Sequence, residues 1–173
     1  MLLPVFEGRD YGATLSMKMH LSSPQQTVFL AWHLAGMLHY GDCVALHGEM
    51  GTGKSTFARA LIRSLAGDEA LEVPSPTFAL VQPYNTRIGL VFHYDLWRLS
   101  SPDELYELSW DDACESVMVV EWPDRAEELL PAGALHITFR HGAGEDERTV
   151  TLRGWPTERL EALFALVEEG QDQ

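Results

Sequence analysis

"GEMGTGKS", Gly48 to Ser55, leaves a chain few ways to fold. The pattern G-x-x-x-x-G-K-[ST] works only where a buried strand ends, the backbone turns through glycines and a helix begins. The flanking residues meet both conditions. "CVALH" (Cys43–His47) is short, apolar and rich in strand formers, and an amphipathic stretch from about Lys54 to Ala66 follows, closed by Gly67. The expected fold is therefore α/β, a P-loop NTPase-like three-layer sandwich with a mixed central sheet that includes antiparallel strands.

Each position in the loop has a chemical task. Glu49, Met50, Gly51, Thr52 and Gly53 form the turn whose backbone N–H groups surround phosphates, helped by the positive end of the following helix. Lys54 neutralises charge on the β- and γ-phosphates. Ser55 offers a hydroxyl to Mg²⁺, and Thr56 is placed to meet the α-phosphate. A GTPase reading fails for want of an N/T-K-x-D guanine motif, because Lys54 is the only lysine after Lys18.

Such a site needs an acidic residue at the end of a neighbouring strand to steady the metal. Two runs qualify, "GLVFHYD" ending at Asp95 and "SVMVVE" ending at Glu121. Glu121 follows the more uniformly apolar run, as a central strand would, and is assigned to the metal with Ser55. Asp95 follows a run containing His93, which suits a hairpin arm or a strand near an edge. It is assigned to orienting the attacking water or a switch segment. Lys54, Asp95 and Glu121 are thus the candidate catalytic residues. Ser75 and Thr77 lie in a proline-fixed loop, where Thr77 either senses the γ-phosphate or serves as an ordinary turn hydroxyl. Arg98 is a weak candidate for an in-built arginine finger, so slow turnover without a partner is expected.

Along the rest of the chain, "SPQQ" at Ser23–Gln26 is a capping box opening a helix that should bury Phe29, Leu30, Trp32, Leu34 and Leu38 and end at Gly41. Phe78–Gln82 and Ile88–Tyr94 read as a hairpin around "PYNTR", and "SPDE" at Ser101–Glu104 opens a short helix. "LHITFR" and "TVTLR" flank a polar turn as a second hairpin, before a closing amphipathic helix. Residues 1–20 carry no clear periodicity and are expected to be an appendage to a single domain at 21–173.

Composition narrows the class. Twenty-six acidic residues against 12 basic ones give a formal charge of −14, which opposes a broad DNA- or RNA-binding surface. An indirect role in nucleic-acid metabolism, through a partner that holds the nucleic acid, stays open. Cys43 and Cys114 show no ligand spacing and read as reduced thiols. No apolar run reaches membrane-spanning length, so a cytoplasmic protein without membrane contact is expected.

Four stretches, "GEMGTGKST", "SPTFALV", "HYDLWRL" and "VVEWPDR", occur in an order and spacing that resemble the bacterial TsaE (YjeE) family, over about residues 23 to 140. The resemblance implies an ATPase with low activity alone, acting with TsaB–TsaD to make threonylcarbamoyladenosine at position 37 of tRNA. It implies that Asp95 is important for ATP hydrolysis, that Glu121 is associated with Mg²⁺, and that Ser75–Phe78 is switch-like. It adds Trp122 and, less sharply, Thr27 near the base to the nucleotide site. Two departures, Ser55 for threonine and Trp97 for tyrosine, leave the chemistry intact. A P-loop small-molecule kinase is the alternative, disfavoured because the ten arginines are dispersed rather than gathered in a lid. A third class, a module that binds ATP without hydrolysing it, would differ in phosphate release.

Overall fold

The computed structural model describes residues 5–7 and 15–171. In chain order the elements are β1 (Val5–Glu7), β2 (Ser16–Leu21), α1 (Pro24–Ala35), β3 (Cys43–His47), α2 (Lys54–Ala66), β4 (Val81–Thr86) and β5 (Gly89–Asp95). A 3₁₀ segment (Pro102–Leu108), α3 (Trp110–Cys114) and β6 (Val117–Glu121) follow. A second 3₁₀ segment (Pro123–Leu129), β7 (Leu135–His141), β8 (Arg148–Arg153) and α4 (Thr157–Gln171) complete the chain. Among the described residues the strands form one eight-stranded sheet in the order β1-β2-β8-β7-β3-β6-β5-β4. β5, β6, β3 and β7 run parallel, and the outer pairings are antiparallel.

Alternation along the central strands sends side chains into two cores. Val44, Leu46, Val117 and Val119 meet α1, α2 and α4 on one face. Cys43, Ala45, Met118 and Val120 meet Leu105, Trp110 and Ala126 on the other. These strands are buried on both sides, which explains their nearly continuous apolar sequence. The expected mixed sandwich is the observed one.

Several boundaries differ from expectation. Residues 16–20 are no appendage: β2 pairs along its whole length with β8, and Met17, Met19 and Leu21 are buried in the first core. A boundary after residue 20 would cut this strand; residues 1–4 and 8–14 lie outside the described set. α1 keeps its N-cap, Ser23 Oγ accepting from the Gln26 amide, but stops at Ala35 rather than Gly41. It buries Leu30, Ala31 and Leu34, while Trp32 is 47% exposed because it falls on the opposite side of the helix. Phe29 is only half-buried, close to Gly170 of α4. The first hairpin turns at Arg87–Ile88, so Pro83 lies inside β4; an edge strand tolerates this because a donor there can be spared.

Candidate nucleotide site

The parallel strands β3, β6 and β5 end side by side. Leu46 is in register with Glu121, and Glu121 with Asp95. Both carboxylates share the sheet face of Val91, Val117 and Val119, against which α2 packs, so they lie beside the loop that joins β3 to α2. A cavity of about 380 Å³ opens there. Met50, Gly51, Gly53, Lys54, Ser55 and Thr56 line one side; Ser75, Thr77, Asp95, Trp97, Glu121 and Trp122 line the other.

The loop is held by its own carbonyls. Lys54, 4% exposed, donates from Nζ to Gly48 O at 2.7 Å and Glu49 O at 2.8 Å, and lies 4.3 Å from the Trp122 ring centroid. Burial pushes the Lys54 pKa below the ordinary lysine value, while Glu121 and Asp95 pull it back upward. Gly48 has no substitute: a Cβ there would come within 2.6 Å of Phe139 O and 2.8 Å of Thr52 Oγ1. At Gly53, the N-cap of α2, φ is +105° and a Cβ would meet nothing within 4 Å. With no side chain among the described residues capping α2, its first amides remain available to an anion at the open side of the loop.

The carboxylates are fixed from behind. Ser55 Oγ donates to Glu121 Oε2 at 3.0 Å, and His93 Nε2 lies 3.0 Å from Oε1. Glu121 and His93 are 2% and 1% exposed. The hydroxyl hydrogen of Ser55 is thus drawn toward Glu121, leaving its lone pairs for a hard cation such as Mg²⁺. Asp95 Oδ2 accepts from Ser75 Oγ at 2.9 Å and Thr77 Oγ1 at 3.2 Å, and Oδ1 accepts from the Trp97 amide at 3.1 Å. Trp122 has a left-handed backbone (φ +56°), and its ring packs 4.4 Å from that of Trp97. An αL tryptophan is an unfavourable conformation that tends to persist where function requires it.

The cavity brings together most of the residues assigned from sequence, but not all. Glu49 and Thr52 line a separate hollow behind the loop with Thr138 and Arg140. Thr27 is buried in α1 and is not part of the cavity lining. Arg98 is stacked over the Phe78 ring at 4.5 Å. Three participants escaped sequence reasoning. His93 was visible as one polar residue in an apolar run, Trp97 only as a departure from a motif, and Arg148, which touches the loop's outer carbonyls, gave no local signal.

The family described as threonylcarbamoyl adenosine biosynthesis protein TsaE matches residues 21–150. A Rickettsia felis protein named tRNA threonylcarbamoyladenosine biosynthesis protein TsaE is 39% identical over 120 residues, 69% of this chain and 70% of that one. A Bacillus subtilis protein of the same name is 33% identical over 137 residues, 78% of this chain and 84% of that one. The crystal structure of Bacillus subtilis YdiB superposes with a TM-score of 0.70 at 27% identity, covering 93% of this chain and 99% of that one. With a loop, two strand-end carboxylates and a family match that spans them all, this chain belongs to the TsaE family.

Proposed function

We propose that the chain binds ATP with Mg²⁺ in the cavity between the phosphate loop and the ends of β5 and β6, and hydrolyses it as a component of tRNA threonylcarbamoyladenosine biosynthesis. The observation that carries this reading is the Ser55–Glu121 hydrogen bond beside Asp95, at the open side of the loop. Gly51, Gly53 and Thr56 would hold the phosphates, with Met50 and Trp122 at the cavity wall. Lys54 would exchange its carbonyl acceptors for phosphate oxygens, since its ammonium is already at the loop. Ser55 would ligate the metal and Glu121 would hold that hydroxyl in orientation. Bound Mg²⁺ would supply charge neutralisation on the phosphates. Asp95, with Ser75 and Thr77 on one oxygen, is positioned to orient a water and to feel movement of the Ser75–Phe78 segment.

Low turnover alone is the reading that the lining supports, where Lys54 is the one cationic side chain among the described residues. The TsaB–TsaD pair would then stimulate hydrolysis and hold the tRNA, in keeping with this chain's charge of −14. No helix among the described residues is long and apolar enough to cross a membrane; a part in the tRNA pathway named for the family would place its work in the cytoplasm. The test is phosphate release with and without TsaB–TsaD, alongside modified tRNA over repeated turnovers. Asp95→Ala should retain ATP yet release phosphate about 100-fold more slowly. Turnover that survives the substitution removes Asp95 from the mechanism, and phosphate transfer to a small molecule instead of water would favour a kinase.

A further inference from the structure

A phosphate loop that turns its N–H groups inward must turn carbonyl oxygens outward, and those oxygens need donors of their own. Lys54 serves Gly48 and Glu49. The carbonyls of Gly51 and Thr52 are served from the other end of the chain. Arg148, at the start of β8, donates from Nε to Thr52 O at 3.0 Å and from Nη2 to Gly51 O at 3.3 Å. Its Nη1 donates to Glu145 O at 2.6 Å and Glu147 O at 2.8 Å, at the tip of the β7–β8 hairpin. One planar guanidinium therefore spans four backbone acceptors, two on the loop and two on the hairpin.

We propose that Arg148 is a positioning residue for the phosphate loop, fixing the orientation of its peptide planes without touching the nucleotide. The geometry follows from peptide planarity. The carbonyl of Thr52 and the N–H of Gly53 belong to one rigid unit and point in opposite directions. Drawing the Thr52 oxygen toward Arg148 aims the Gly53 N–H the other way. Gly53 lines the cavity and Arg148 does not. The neighbouring plane is bound on both sides, because the Thr52 amide donates to Glu49 O while the Gly51 oxygen accepts from Arg148. Lysine cannot reproduce this arrangement: its ammonium is a point charge, whereas the guanidinium presents a rigid fork. Through the same fork the hairpin tip is coupled to the loop, although some 95 residues separate them in sequence.

The proposal rests on the reading that this loop holds ATP, and the experiment separates the two. Calorimetric titration of Mg–ATP into the full chain would compare wild type, Arg148→Lys, Arg148→Ala and Glu145→Ala. Phosphate release against ATP concentration, and melting without nucleotide, would be measured on the same samples. Losing charge-assisted hydrogen bonds to the loop should weaken ATP binding about tenfold in both Arg148 variants. KM should rise by a similar factor while kcat stays within about twofold, because the metal and water positions are untouched. Glu145→Ala should bind as wild type, since Arg148 uses the Glu145 backbone. Arg148→Lys decides the matter even where Arg148→Ala fails to fold. Wild-type affinity in the lysine variant would show that charge, not the fork, is at work, and would overturn the proposal. A fall in kcat at constant KM would overturn it as well. A wild-type chain that binds no ATP would overturn the functional reading itself.

Discussion

The two halves of the sheet treat polar groups in opposite ways. In the antiparallel half, β2, β7 and β8 alternate: Met17, Met19, Val150, Leu152, Ile137 and Phe139 point into the core, while Lys18, Arg140 and Arg153 are exposed. Among the described residues, none of these three strands buries a polar side chain. In the parallel half, His93, Asp95 and Glu121 are all buried at or near strand ends, and Lys54 is buried beside them. Every one of those four is hydrogen-bonded, but His93 Nδ1 has no partner among the described residues. An apolar residue at position 93 would avoid that unmet group. One half stabilises the molecule, and the other gives up some stability to hold charge where chemistry needs it.

That contrast can be broken most forcefully from the antiparallel side. Leu152→Ala should cost about 2–5 kcal/mol in urea unfolding, the range for a large-to-small change in a packed core. ATP affinity of the folded fraction should not move; if it does, core packing under β8 reaches the loop by a route other than Arg148. Lys54→Ala reverses the pattern, weakening ATP binding by about 100-fold or more, roughly 2.7 kcal/mol, with little change in melting of the nucleotide-free chain. A variant that unfolds instead would make Lys54 a structural residue.

A smaller effect sharpens the role of the buried histidine. His93→Leu should raise the Mg²⁺ concentration needed for half-maximal ATP binding about tenfold, as when an outer partner of a metal site is removed. Its melting temperature should be unchanged or higher. Lower melting with unaltered metal dependence would mean that His93 merely fills space.

The smallest effect lies where the halves meet. His136 of β7 is 2.8 Å from His47 of β3, and its pKa is pushed down to about 4 by burial, assisted by Arg153 and His47 and opposed by Asp124. Because the folded value lies below the unfolded one, the unfolded chain binds more protons between about pH 6.5 and about pH 4. This contribution is complete above that window and is lost as the pH falls through it. His136→Gln should make melting temperature less steep in pH over that interval; an unaltered slope would leave His136 without a part in acid sensitivity.

Legibility in the sequence followed local chemistry. α2 was readable to the residue, since a glycine loop opens it and Gly67 closes it in the left-handed region. β3 and β6 were readable because burial on both faces leaves apolar residues at every position before the last, His47 and Glu121. β2 was missed although "SMKMHL" alternates strictly, because its partner β8 lies some 130 residues away and nothing nearby signals the pairing. The proline-rich loop and Pro83 displaced the first hairpin, and Gly41 drew attention from the true end of α1 at Gly36. In the site, loop and carboxylates were legible as a spacing. The hydrogen bonds that position them, from His93 and Arg148, depend on which strands become neighbours.

Pro83 has one further effect. A two-residue turn makes Thr86 and Gly89 a mutually bonded pair, so alternation leaves Pro83, opposite Phe92, with its nitrogen facing away from β5. The outer rim of the sheet is thereby missing a hydrogen at its middle. A second chain seeking to add a strand there would find the ladder interrupted, which guards this border against edge-to-edge aggregation.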